Sequence, residues 1–122
     1  MNRTSRRATA GTVQPITVGR FRVLRVNGID LHLDAYQARV NDQPICLTIK
    51  EFELLRTLME HAGQVQSHRQ LLDTVWGADH PDDNASLRVH IMRLRKKLAA
   101  DHDHPTRIRT VSGHGYIFDL GT

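Results

Sequence analysis

The stretch Asn84-Ala85-Ser86-Leu87-Arg88-Val89-His90-Ile91-Met92-Arg93-Leu94-Arg95-Lys96-Lys97-Leu98 decides how the rest of the chain is read. Leu87, Ile91, Leu94 and Leu98 recur at helical spacing and align in one apolar stripe, so a helix is predicted over about 84–100 with that stripe against a core. Arg88, Arg93, Arg95, Lys96 and Lys97 share the helix with no acidic residue to offset them. Advancing about 100° per residue places Ala85, Ser86, Val89, Met92, Arg93 and Lys96 opposite the stripe, with Arg88 and Arg95 at one edge and His90 and Lys97 at the other. A helix buried on one side and cationic on the other suits the DNA major groove. There an Arg can bridge two acceptors of guanine, and Ser, Val or Met can touch a thymine methyl. Charge alone does not decide this, because a basic run is also an ordinary solvated face.

The flanks narrow the choice. Upstream, Thr48-Ile49-Lys50-Glu51 forms a capping box and opens a helix with Phe52, Leu55, Leu58 and Met59 on one face and Gly63 as its stop. A second box, Ser67-His68-Arg69-Gln70, opens a shorter helix with Leu71, Leu72, Val75 and Trp76 apolar, closed by Gly77. A polar connection through Pro81 leads to Asp83 or Asn84, either of which can cap the basic helix. Downstream, Asp101 to Pro105 breaks the helix. Two strand-like runs, Arg107 to Val111 and Tyr116 to Leu120, then flank Ser112-Gly113-His114-Gly115 as a β-hairpin with a glycine-rich tip. A helix, a turn and a basic helix make a helix-turn-helix, and the hairpin over about 107–120 stands beside it as a wing carrying Arg107 and Arg109.

Before the helices, Ile16 to Leu47 alternates in short apolar runs, including Phe21, Val23, Val26, Ile29, Leu31 and Leu33. Asn27-Gly28 and Asn41-Asp42 punctuate the runs as turns, which predicts an antiparallel meander of three or four strands. Residues 1–15 contain Arg3, Arg6 and Arg7, no acid and few large apolar side chains, and read as a flexible basic arm or linker ahead of one domain over 16–122. The 17 Lys and Arg against 13 Asp and Glu leave a net charge of +4, which favours a polyanionic partner. No run is long and apolar enough for a membrane span, and no secretory signal follows the N-terminal arginines, so a cytoplasmic protein is expected.

Other chemistries fare poorly. Cys46 is the single cysteine, which excludes an intrachain disulfide and a thiolate zinc site by counting. Beside Ile45 and Leu47 it reads as a small buried hydrophobe. Asp101, His102, Asp103 and His104 read as a solvated loop and not as a metal site, because nothing fixes their geometry. Trp76 and Tyr116 sit among apolar neighbours and are assigned to core packing rather than base stacking. No phosphate-cradling glycine loop or catalytic constellation is present, so neither an enzyme nor a cofactor is expected. The competing reading is a winged helix used as a protein-interaction module with only non-specific DNA affinity; salt and sequence dependence of binding separate the two.

Four ordered blocks resemble the effector domain of OmpR/PhoB-type response regulators. They are Leu47-Thr48 with Glu51-Phe52-Glu53-Leu54-Leu55, Gln70-Leu71-Leu72 with Val75-Trp76-Gly77, Val89-His90-Ile91 with Arg93-Leu94-Arg95-Lys96-Lys97-Leu98, and Ile108-Arg109-Thr110-Val111 with Gly113-His114-Gly115-Tyr116. The resemblance spans about Phe21 to Leu120 and implies an α+β winged helix-turn-helix: an N-terminal antiparallel sheet of four strands, three helices and a C-terminal hairpin wing. It implies base reading by Arg93, with Ser86, Val89 and Met92 in the groove and His90, Arg95 and Thr110 at phosphates. To these the charge pattern adds Arg88 as a base reader, Lys96, Lys97 and Arg109 as backbone contacts, and the tip Ser112, Gly113, His114 and Gly115. The family's polymerase-contact loop corresponds to Ala78, Asp79, His80, Pro81 and Asp82. Promoter DNA in direct repeats, a homodimer or tandem pair on DNA and RNA polymerase are the partners implied.

Three positions differ from the family pattern: Ala85 where Arg is common, Arg88 where an acid is common, and Ser112 where the wing commonly carries Arg. The first two imply a different DNA site, and His114 or Arg109 is the candidate to replace the third. A response regulator also carries a receiver domain, for which this length leaves no room. The expectation is an output domain separated from its receiver, or a stand-alone relative regulated elsewhere.

Overall fold

The computed structural model describes residues 13–77, 84–99 and 107–121. Its first half is an antiparallel meander of five strands, β1 (Ile16–Val18), β2 (Phe21–Val26), β3 (Ile29–His32), β4 (Gln37–Val40) and β5 (Gln43–Ile45), paired in chain order. The strand count exceeds the three or four read from alternation because two three-residue edge strands are too short to show a period. Pro44 sits in β5, where an edge position tolerates the missing amide donor. The two asparagine-led turns have positive φ at both central residues, Asn27 (50°) with Gly28 (80°) and Asn41 (48°) with Asp42 (70°). This geometry matches the right-handed twist of the strands it joins. Leu24, Val26, Ile29, Leu31, Ala38 and Val40 point to one side of the meander and are buried there.

That face is covered by α1 (Ile49–Glu60), whose Phe52, Leu54, Leu55, Leu58 and Met59 are at most 1% exposed. Thr48 and Glu51 close the capping box in both directions: the Glu51 amide donates to Thr48 Oγ1 at 3.1 Å and the Thr48 amide to Glu51 Oε1 at 2.9 Å. The second box holds equally well at α2 (His68–Trp76), between Ser67 and Gln70. The third helix, α3 (Asn84–Leu98), buries Leu87, Ile91, Leu94 and Leu98 against α1 and α2, as their spacing requires. Residue 99 continues α3 as a short 3₁₀ turn.

A second sheet closes the molecule. Strands β7 (Ile108–Val111) and β8 (Gly115–Phe118) form the hairpin, and a two-residue strand, β6 (Gln66–Ser67), pairs with β8 on its other side. Gly115 is required there: a Cβ at this residue would lie 2.0 Å from the Gln66 carbonyl oxygen. Tyr116 and Phe118 enter the core, and Trp76 packs against it half-buried, which agrees with the packing roles expected of Tyr116 and Trp76.

Two expectations need correction. Cys46 is exposed, because β5 ends at Ile45 and the extended chain turns Ile45 and Leu47 inward and Cys46 outward between them. Arg107 does not decorate the wing. It is 2% exposed, with Nε donating to the Asn27 carbonyl at 2.7 Å and Nη1 to the Leu98 carbonyl at 2.8 Å. It thereby ties the β2–β3 turn to the C-terminal end of α3, where a cation is also favoured by the helix dipole. Residues 1–12, 78–83, 100–106 and 122 lie outside the described residues. The expectations for most of the basic arm, the polymerase-contact loop and the Asp101–His104 run therefore fall there. Val13 does not: its amide donates to the Glu60 carbonyl at 2.7 Å and its side chain packs on the core. No described helix is long and apolar enough to cross a membrane.

Candidate nucleic-acid interface

The apolar stripe of α3 fixes its rotation, so the residues opposite it face outward. Ala85, Ser86, Arg88, Val89, Met92, Arg93 and Lys96 are all exposed, Met92 to 54% and Val89 to 36%. Among the described residues no acid pairs with Arg88, Arg93 or Lys96. Each is a cation presented to solvent on a helix that is held from behind.

The other two cations of the helix are committed to the protein. Arg95 reaches across to β7, its Nε donating to the Ile108 carbonyl at 3.0 Å and its Nη2 to Thr110 Oγ1 at 2.8 Å, with the guanidinium 5.9 Å from the Tyr116 ring centroid. The helix and the wing are thus braced through one side chain. Lys97 turns the other way. Its ammonium lies 2.6 Å from Oε1 of Glu51, the same oxygen that caps α1, and Glu51 is 1% exposed. Burial alone would push the Glu51 carboxyl up. Hydrogen bonds from Lys97 and the Thr48 amide, with the charges of Lys97 and His90, outweigh it and hold the group below the ordinary carboxylate range. Lys97 is placed at the root of the helix and not on its outer face.

His90 sits beside Trp76, edge to face with centroids 5.0 Å apart, and its Nδ1 lies 2.8 Å from the Ser86 carbonyl. On the hairpin, Arg109 faces Asp119, with Nε 2.9 Å from both carboxylate oxygens, so its charge is matched locally. The tip Ser112, Gly113 and His114 is exposed and closes through the His114 amide on the Val111 carbonyl at 2.9 Å. Gly115 is buried and belongs to the strand pairing described above, not to the tip surface.

Between α3 and the hairpin lies a cleft of about 500 Å³, bordered by Arg88, Val89, Met92 and Arg95 on the helix and Thr110, Val111, Ser112 and Gly113 on the wing. The structure therefore brings Arg88, Val89 and Met92 of α3 together with Thr110 and the wing tip at Ser112 and Gly113 along one continuous surface. It leaves Lys97 off that surface and places Ser86, Arg93 and His90 on the far side of the helix from the wing. Sequence reasoning missed His68, which lines the cleft and stands edge to face on Tyr116 with centroids 5.5 Å apart. Its position follows from the two-residue pairing of β6 with β8, a pattern too short to be legible.

The family profile "Transcriptional regulatory protein, C terminal" matches residues 42–118. The sensory transduction protein RegX3 of Mycolicibacterium smegmatis is 42% identical over 94 residues, covering 77% of this chain and 41% of that protein. The alkaline phosphatase synthesis transcriptional regulatory protein SphR of Synechococcus elongatus is 38% identical over the same share of this chain and 37% of its own length. The chain thus spans well under half the length of these relatives. Among solved structures, the DNA-binding domain of CpxR from E. coli superposes with a TM-score of 0.72 at 34% identity, covering 82% of this chain and 98% of that one. The Klebsiella pneumoniae RstA DNA-binding domain, solved in complex with the RstA box, gives 0.70 at 30% identity, over 80% of this chain and 97% of that one.

Proposed function

Because the chain belongs to the family of C-terminal domains of transcriptional regulatory proteins, OmpR/PhoB-type DNA-binding regulators and not enzymes, we propose that it selects particular promoter sequences in double-stranded DNA. In this reading α3 enters the major groove, and Arg93, Arg88, Ser86, Val89 and Met92 meet base edges. Lys96, His90, Arg95 and Thr110 meet the sugar-phosphate backbone, and the tip at Ser112 to His114 lies on backbone or in the minor groove. The observation that carries it is the outer face of α3: three cations without acidic partners among the described residues, interleaved with small and apolar side chains, on a helix braced against both core and wing.

The same proposal extends to partners. Tandem or dimeric binding to direct repeats, and contact with RNA polymerase through Ala78, Asp79, His80, Pro81 and Asp82, follow from the family resemblance. Action in the bacterial cytoplasm as the output domain of a two-component response regulator, or of a stand-alone relative, follows from it too.

Selection of bound duplexes from a random pool at near-physiological salt tests the reading. A recovered motif, preferred over a scrambled duplex by a factor that Arg93→Ala lowers by about 1 to 3 kcal/mol with relaxed choice at one base position, is the expected result. Binding that falls with salt but shows no preference among duplexes would sink base reading and leave a protein-interaction module with non-specific DNA affinity.

A further inference from the structure

Ala85, Val89 and Met92 follow one another at helical spacing and form a short exposed apolar strip along the outer face of α3. Arg88 borders it on the wing side, Arg93 on the other, and Lys96 ends it. Building on the major-groove reading proposed above, we infer that this strip recognises C5-methyl groups of adjacent thymines, so that the preferred site contains a run of them flanked by base pairs offering guanine acceptors to Arg88 and Arg93.

The chemistry and the dimensions agree. The thymine methyl is the one apolar group that projects from a base pair into the major groove, and small apolar side chains are its usual partners. From Ala85 to Met92 the helix advances about 10 Å at about 1.5 Å per residue, so the strip is long enough to meet more than one base pair at a rise of about 3.4 Å each. Met92 and Val89 also border the cleft against the wing, so a methyl seated there leaves water on the helix side. An exposed apolar strip would equally suit a protein partner, but three flanking cations without acidic partners among the described residues match a polyanion and would oppose most apolar protein surfaces.

The test exchanges thymine for deoxyuridine in the selected duplex, which deletes only the methyl. Each contacted position is expected to lose about fourfold in affinity, the worth of burying one such group. In Met92→Gln and Val89→Gln, both at exposed positions, the thymine-to-uracil ratio at the position each residue faces is expected to fall towards one. A selected motif without adjacent thymines overturns the inference, as does equal affinity for the thymine and uracil duplexes, while sequence preference survives to support base reading by the arginines. A uracil penalty that persists unchanged in both variants also overturns it, by assigning the methyl effect to DNA shape. If no motif is selected at all, the base-reading function fails first and this inference with it. Unaltered DNA binding in both variants likewise overturns it.

Discussion

Replacing Lys97 with Met removes the ammonium 2.6 Å from Glu51 while keeping a long side chain that suits a helix. Glu51 is 1% exposed and cannot recover the partner from water. Breaking a fully buried pair from one side costs about 3 to 5 kcal/mol. Lys97 keeps 36% side-chain exposure and the Thr48 amide still donates to the carboxylate, which reduces the expected loss to about 1.5 to 3 kcal/mol. Urea unfolding measures it, and pH supplies the sharper criterion. The folded-state Glu51 carboxyl is held low, so its contribution is fully present above the unfolded value, near about 4.3, and is lost as pH falls through the folded value. Without Lys97 the largest opposition to burial is gone, and the acid-side loss of stability should flatten or change sign. Glu51→Gln, which keeps the capping acceptor without the charge, should cost about 1 kcal/mol and remove this group's pH dependence altogether. A Lys97→Met variant within about 0.5 kcal/mol of the parent, with the parent's pH profile, would refute the coupling of α3 to the α1 cap.

Lys96→Ala should weaken binding to all duplexes alike and reduce the slope of log affinity against log salt by about 0.9, the value for one neutralised phosphate; Lys97→Met should leave that slope unchanged, and comparing the two variants checks which lysine faces the backbone. Gly115→Ala should destabilise the domain by about 3 kcal/mol or more in thermal or urea unfolding, because its Cβ would meet the Gln66 carbonyl oxygen at 2.0 Å and the obstacle is backbone. Arg107→Leu strips donors from the Asn27 and Leu98 carbonyls and should cost about 2 to 4 kcal/mol in the same assay.

What could be read from the sequence was local. A capping box joins residues three apart, the stripe Leu87, Ile91, Leu94 and Leu98 repeats within one helix, and Asn27-Gly28 fixes a turn by its own torsions. The parts that escaped depend on distant neighbours. Nothing near Arg107 announces that it will be buried, since its partner carbonyl at Asn27 lies 80 positions away. Lys96 and Lys97 are adjacent and alike, and only the fold, by bringing Glu51 from 46 positions away, separates one from the other. Glu51 itself was legible as a cap, whose partner Thr48 is three positions away, but not as a counter-ion, whose partner Lys97 is 46 positions away. The edge strands β1 and β6 are too short for alternation to register, and with β6 went His68 and the floor of the cleft.

The net charge of a basic helix is therefore a poor measure of the charge it presents to a partner; the charge left after the fold has taken its share is the better one. On α3 the fold takes Lys97, because a close pair with the buried carboxylate of Glu51 matches its charge and holds the ammonium beside the α1 cap, although the side chain stays partly exposed. Arg95 is a different case. Its bonds to Ile108 and Thr110 engage Nε and one nitrogen of the fork, and a guanidinium carries further donors that point away from those partners. It can hold the wing at a set distance from the helix and still meet a phosphate entering the cleft between them. A lysine at position 95 would have to choose, since a point charge offers no fixed second edge. Arg95→Lys should thus loosen the wing and weaken backbone contact together, whereas Arg88, Arg93 and Lys96 can be changed one at a time with consequences confined to DNA.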